Sequence, residues 1–228
     1  MTSAIVSCTQ KSKQEDTLLY KSLLKLEQLG NTRFLDKLFI NTNNKLGLSK
    51  VYNKFLYEHP EFDHVIFVHD DVSIEDNLIL EKLQKEHRYY DIIGVAGGLN
   101  PKIQAPALWH LMCGGFGPNL RGFAGHYLPD NERTMITNFG PSPDRVAIID
   151  GVLISVLVKR ISEVGWKFNE NYTFHHYDIS SSLDANKLGL KIGVAPILIN
   201  HMSPGLRSLN DTFFLESQSI FLNEYKNY

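Results

Sequence analysis

The sequence predicts an α/β fold in which a single, mostly parallel sheet is flanked by helices. Three observations carry this. Short apolar runs recur along the chain, among them "AIVSC", "HVIFV" and "DIIGVAG". Between them lie segments whose leucines and isoleucines repeat at helical spacing, the alternation expected of strands buried under helices on both faces. The 228-residue chain is 43% apolar and 21% charged, the composition of a chain with a sizeable core rather than of a disordered one.

Each element follows in order. "AIVSC", Ala4 to Cys8, reads as a strand, and "SKQEDTLLYKSLLKLEQLG" as a helix ended by Gly30. "KLFINT" is a second strand, "NTNNKLG" a loop, and "LSKVYNKFLYEH" a helix stopped by Pro60. "HVIFVHDDV" is a third strand, "SIEDNLILEKLQKEH" a helix with Ser73 as its N-cap, and "DIIGVAGG" a fourth strand. From Asn100 to Arg145 the pattern gives way to Gly, Pro and aromatic residues, a segment that reads as functional loops, with "MCGGFGPNLRGFAG" as a lid. Regularity returns in "VAIIDGVLISVLVKRISEVG" and again from "ENYTFHHYDISSSLDANKLG" to "ILINHMSPG". No repeat or linker divides the chain, so one domain over 1–228 is expected, with an amino-terminal half (1–99), a second half (100–205) and an aromatic tail (206–228).

Charge and cysteine content narrow the function classes. A formal charge of -2 supplies no basic field, which argues against nucleic acid as a partner. There are only two cysteines, Cys8 and Cys113, and "MTSAIVSCTQ" has neither a basic nor a long apolar leader, so a cytoplasmic protein is expected. No run offers the ~20 apolar residues of a membrane span.

Chemistry concentrates at a few strand ends. In open α/β sheets, ligands bind beyond the carboxyl ends of the strands, and His69, Asp70 and Asp71 stand at one such end. Adjacent carboxylates there offer hard oxygen ligands to Mg²⁺ or Mn²⁺ and so to a diphosphate; the competing reading is a turn leading into a capped helix. Asp178, at the start of the helix in "FHHYDISSSLDANKLG", is either an N-cap or a base held on a rigid helix with His175 and His176 beside it. His201 follows another apolar strand. Trp109 reads either as a stacking floor for a sugar or as a core anchor.

Taken in order, "GLSKVYNKFL", "VIFVHDDV", "DIIGVAGG", "VAIIDGVLISV", "FHHYDISSSLDANKLGLKIGVAP" and "INHMSPG" resemble a GT-A-type glycosyltransferase of the family 2 kind, and in particular the StrF-like family. The likeness spans Ile5 to Gly205 except for 100–145. It implies a GT-A, Rossmann-like fold, a nucleotide-diphosphate sugar donor such as a UDP- or GDP-sugar, and an acceptor hydroxyl. By the same resemblance the metal- and diphosphate-binding DXD motif falls on His69, Asp70 and Asp71. His69 stands where the first acid belongs, so Asp71 becomes the main ligand and Asp70 is turned to ribose or sugar. The resemblance also implies that His201 completes the metal shell, a set that suits Mn²⁺ better than Mg²⁺. It assigns the catalytic base of inverting members to Asp178, although Ser180 replaces a second acid found in many relatives. It places Ser7, Thr9, Lys50 and Asn53 around the nucleotide, and Asp150 and Gly151 between donor and acceptor sugars. Trp109 and His176 complete the expected set as acceptor contacts.

The resulting expectation is inverting transfer, with Asp178 deprotonating the acceptor. Two alternatives stay open: a non-catalytic nucleotide-sugar binding protein, which needs no base, and a nucleotidyltransferase. The latter is disfavoured because "CTQKSKQED" lacks the glycine of a phosphate-binding loop.

Overall fold

The computed structural model describes residues 1–30, 32–128, 133–202 and 210–228. In chain order its strands are β1 (Ser3–Cys8), β2 (Leu38–Asn41), β3 (His64–Val68), β4 (Val72–Ile74), β5 (Ile92–Gly94), β6 (Ala96–Gly98), β7 (Leu120–Tyr127), β8 (Thr134–Gly140), β9 (Asp144–Val146), β10 (Ile148–Ile149), β11 (Leu153–Leu157), β12 (Ile192–Val194) and β13 (Ile199–His201). The helices are α1 (Leu18–Leu29), α2 (Leu48–Glu58), α3 (Ile79–Glu86), α4 (Trp109–Met112), α5 (Val158–Glu163), α6 (Tyr177–Lys187) and α7 (Thr212–Glu224).

β1 and β3 show why the apolar runs are continuous. Both are fully buried, and alternate residues enter opposite cores, as the two-residue period of a strand requires. Ala4, Val6, Val65 and Phe67 pack with Tyr52 and Phe55 of α2 and with Leu183 of α6. Ile5, Ile66 and Val68 pack with Leu19 and Leu23 of α1 and with Ile79 and Leu83 of α3. With a helix on either face, no polar position is left for alternation to show. On the first face Tyr52 lies 4.3 Å from Phe67 and Phe67 meets Phe168 edge-on at 5.1 Å, contacts worth about 0.5–1.5 kcal/mol each beyond the area they bury.

The α/β class and the helix-flanked sheet stand as expected; the detail of one mostly parallel sheet is corrected. Seven strands form a mixed sheet in the order β2-β1-β3-β11-β5-β12-β9, in which β11 runs antiparallel to both β3 and β5. A second sheet runs β10-β6-β7-β13-β4, with β8 paired to β7. The expected third and fourth strands each cross between sheets: "HVIFVHDDV" breaks at His69–Asp71, and "DIIGVAGG" breaks at Val95.

That break also displaces a helix start. Ser73 is not an N-cap, because Val72, Ser73 and Ile74 are buried as β4 and paired antiparallel with β13. α3 begins only at Ile79, after Asp76 accepts a hydrogen bond from the Leu78 amide. Helix α1 likewise starts at Leu18, where the Thr17 side chain caps the Tyr20 amide, and Gly30 ends it in an extended conformation.

The region read as loops, Asn100 to Arg145, contains α4, the antiparallel pair β7 and β8, and the start of β9. The second part of the expected lid is therefore strand. Gly122 explains the misreading: its φ is +86°, and a Cβ there would lie 2.0 Å from the Val95 carbonyl oxygen, so close strand packing rather than mobility demands glycine. The tail supplies α7, capped by Asp211, which buries Phe214 and Phe221; Tyr225 just beyond it is also buried.

Candidate functional site

The topology gathers five chain segments at one edge. β1 and β3 are parallel, so Thr9 emerges beside His69–Asp71. β11 is antiparallel to β3, with Leu153 opposite Val68, so Asp150 and Gly151 precede it at the same edge. β13 is antiparallel to β4 with His201 opposite Val72, and α6 starts with Tyr177 and Asp178. The backbone ties this edge together: the His69 amide donates to the Val152 carbonyl at 3.2 Å and the Met202 amide to the Asp71 carbonyl at 2.9 Å.

The acidic tip divides in two. His69, Asp71 and His201 each present a ligand atom, and these atoms lie within 4.8 Å of one another. Asp70 turns the other way and accepts a hydrogen bond from Thr9 Oγ1 at 2.5 Å. The His201 Nε2 atom is 3.2 Å from Asp71 Oδ1 but lacks hydrogen-bond alignment; it is buried with no hydrogen-bond partner among the described residues. A buried imidazole nitrogen in ion-pair contact with a carboxylate and close to a second imidazole fits a divalent metal whose ligands are two histidines and one aspartate. Electrostatics favour the pairing. Burial alone would raise the Asp71 carboxyl, but His201 and His69 hold it below its usual value. Burial alone would lower His201, but Asp71 and, further off, Asp150 raise it.

Asp178 is not the N-cap; His176 occupies that position, with a left-handed φ of 64°. Asp178 sits in the first turn of α6, and its Oδ2 accepts from the Gly151 amide at 2.9 Å. Burial and then the charge of Asp150 push its carboxyl up to about 7, against the lowering effect of three backbone amides. Asp150 is itself held: Oδ2 accepts from the Trp109 indole at 2.6 Å and Oδ1 from the Val152 amide at 2.9 Å. The edge thus holds two neighbouring carboxyls, Asp150 and Asp178, and beside them a His69, Asp71 and His201 group whose donor atoms could hold a metal ion.

The remaining expected residues are placed as follows. Ser7 is fully buried, and its hydroxyl has no hydrogen-bond partner among the described residues. The Asn53 amide is committed to the Phe168 backbone in both directions and to Glu170, so it ties α2 to the 168–170 turn instead of lining a ligand site. Lys50 is exposed on α2. Trp109 is buried as the core-anchor reading had it, and its contact with the site is through Asp150. The His176 ring is buried, bonded to Ser217 and stacked on Phe221 with centroids 5.6 Å apart, so it packs α7 rather than facing a ligand.

Two residues escaped the sequence reading. Tyr177 is buried, with its hydroxyl 3.0 Å from His69 Nε2 and 2.6 Å from the Gly151 carbonyl oxygen. Phe174 stacks over His69 with centroids 5.9 Å apart, yet remains 55% exposed. It opens onto a groove of about 440 Å³ that is also lined by His175, Phe213 and Glu216. The run of aromatic residues just before Asp178 was the available signal, but core packing uses the same residues.

No family profile and no curated protein matches the chain. Solved structures do. The structure of GalNAc-T7 with UDP, GalNAc and Mn²⁺ aligns over 100% of this chain and 49% of its own, with a TM-score of 0.58 and 12% identity. The structure of TarS 1-349 from S. aureus aligns over 100% of this chain and 66% of its own, with a TM-score of 0.52 and 14% identity; its complex with UDP gives 0.53 and 12%. A197 from STIV aligns over 89% of this chain and 86% of its own, with a TM-score of 0.53 and 9% identity. At these identities the likeness establishes the fold: the chain has the GT-A fold of the glycosyltransferases GalNAc-T7 and TarS, and it spans about half the length of the GalNAc-T7 structure. No helix among the described residues is long and apolar enough to cross a membrane.

Proposed function

We propose that the chain is a metal-dependent, inverting glycosyltransferase that moves a sugar from a nucleotide-diphosphate donor, a UDP- or GDP-sugar, to an acceptor hydroxyl. The observation that carries this reading is the pairing, on one edge of a GT-A fold, of the His69, Asp71 and His201 group with an Asp178 carboxyl held at about 7. GalNAc-T7, whose structure contains UDP and Mn²⁺, supports it by analogy of fold. Placement within the StrF-like branch, and in the cytoplasm, rests on the sequence alone.

In this reading Asp71, His201 and His69 hold Mn²⁺ or Mg²⁺, which when bound would offset the charge of the departing diphosphate. Asp70, fixed by Thr9, faces the nucleotide or sugar, and exposed Lys50 lies on the nucleotide side within the 1–99 half. Asp178 accepts the proton of the acceptor hydroxyl as its oxygen bonds to the anomeric carbon and the bond to the diphosphate oxygen breaks on the opposite face. A carboxyl with a value near 7 is a stronger base than an ordinary aspartate while still ionising at neutral pH. The Gly151 amide holds that carboxyl, while the like charge of Asp150 raises its affinity for the proton. Exposed Phe174 and Phe213 take the acceptor-stacking role expected of Trp109 and His176.

The test is a thermal-shift panel of UDP, GDP, CDP and dTDP sugars with and without Mn²⁺, followed by transfer assays. A ligand that prefers the folded state raises apparent stability. A metal-dependent rise with one nucleotide class is expected; no response to any would sink the reading. The non-catalytic alternative predicts the same rise with no donor turnover in either the wild type or Asp178→Asn; transfer that survives Asp178→Asn would count against Asp178 as the base.

A further inference from the structure

We propose that Tyr177 is a positioning residue whose single hydroxyl sets the tautomer of His69 and locks the metal-ligating group to the carboxylate of Asp178. The inference rests on the metal reading of the site, and it starts from one proton. The Tyr177 hydroxyl lies 2.6 Å from the Gly151 carbonyl oxygen and 3.0 Å from His69 Nε2. A carbonyl oxygen can only accept, so the phenolic proton points to Gly151. The contact with His69 then has to be donated by the imidazole, which places the ring proton on Nε2 and leaves the Nδ1 lone pair for a cation. This is the arrangement by which an outer hydrogen bond orients a ligating histidine.

The same glycine closes the circuit. While its carbonyl accepts from Tyr177, its amide donates to Asp178 Oδ2 at 2.9 Å, and Tyr177 and Asp178 are neighbours at the start of α6. His69, Tyr177, Gly151 and Asp178 therefore form one hydrogen-bonded unit, in which displacement of the phenol disturbs a metal ligand at one end and the carboxylate at the other. Gly151 is required for the fit. A Cβ at this position would stand 2.6 Å from the Tyr177 hydroxyl oxygen and 2.8 Å from the ring carbon that bears it. The aromatic ring is wedged near Tyr52 and Phe168, with centroids 6.2 and 6.1 Å away, so it cannot retreat freely.

The test uses the full chain labelled with ¹⁵N. Long-range ¹H–¹⁵N spectra of the metal-free protein, with His69 assigned from a His69→Gln sample, should show the Nε2–H form. Tyr177→Phe keeps the ring and removes the hydroxyl; it should shift His69 toward a mixture of tautomers and weaken Mn²⁺ binding, read by electron paramagnetic resonance, by about tenfold or more. Gly151→Ala keeps the hydroxyl but displaces it, and should weaken Mn²⁺ binding in the same direction. A wild-type His69 protonated on Nδ1 overturns the proposal without any variant being needed. So does a Tyr177→Phe protein whose tautomer and Mn²⁺ affinity both match wild type. A wild-type protein with the Nε2–H form but no Mn²⁺ affinity would instead overturn the metal reading, leaving the hydrogen-bond assignment supported.

Discussion

Replacing Asp178 with asparagine separates two consequences of one buried carboxyl. In the folded chain this group ionises at about 7 rather than 3.8, because burial and the charge of Asp150 disfavour its anion. The folded state thus binds a proton that the unfolded state has already released, and stability falls as pH rises between those values. Below about pH 4 both states are protonated and nothing is lost. Above about 7 the full penalty applies; at 1.36 kcal/mol per pH unit, a span of about three units gives about 4 kcal/mol. Asparagine keeps an oxygen for the Gly151 amide and carries no charge, so Asp178→Asn should be more stable than wild type at pH 8, by up to about 4 kcal/mol, and nearly equal to it at pH 4. Urea unfolding at a series of pH values measures this directly. Transfer activity should be lost at every pH, whereas wild-type activity should rise with pH to a plateau above about 7. A stability difference that does not change between pH 4 and 8 would refute the electrostatic account of Asp178, and undiminished transfer would refute its role as base.

Three further outcomes follow from the same geometry. Asp150→Asn removes the charge that helps to raise Asp178, so the acid limb of the activity profile should move to lower pH; movement the other way would count against the pairing. Asp71→Asn and His201→Ala each remove a member of the ligating group and should weaken Mn²⁺ binding by roughly 100-fold, measured by calorimetry, while leaving the far-ultraviolet circular dichroism unchanged. Gly122→Ala forces a side chain at φ +86° against the Val95 backbone and should cost about 3 kcal/mol in urea unfolding; a loss below about 1 kcal/mol would show that β7 can move aside.

The sequence alone determined the elements whose signals are local. Apolar runs marked β1, β2 and β3, leucine spacing marked α1, start and stop signals marked α2 and α6, and His69, Asp70 and Asp71 were legible as the polar end of β3. Asp178 was legible as a carboxylate at a helix start, whereas His201, at the end of an apolar strand, drew its expected role only from the resemblance to GT-A glycosyltransferases. Tertiary structure decided what those side chains face. Only the break at His69–Asp71, which sends Val72–Ile74 to pair with β13, parts Asp71 from Asp70 and brings it to His201, 130 positions away. Only the packing of α7 consumes His176, and only the approach of Gly151 gives Tyr177 its two partners. Periodicity records whether a residue is buried, because burial repeats with the geometry of its own helix or strand. It cannot record which distant group shares a hydrogen bond, because that partner is fixed by how separate elements pack.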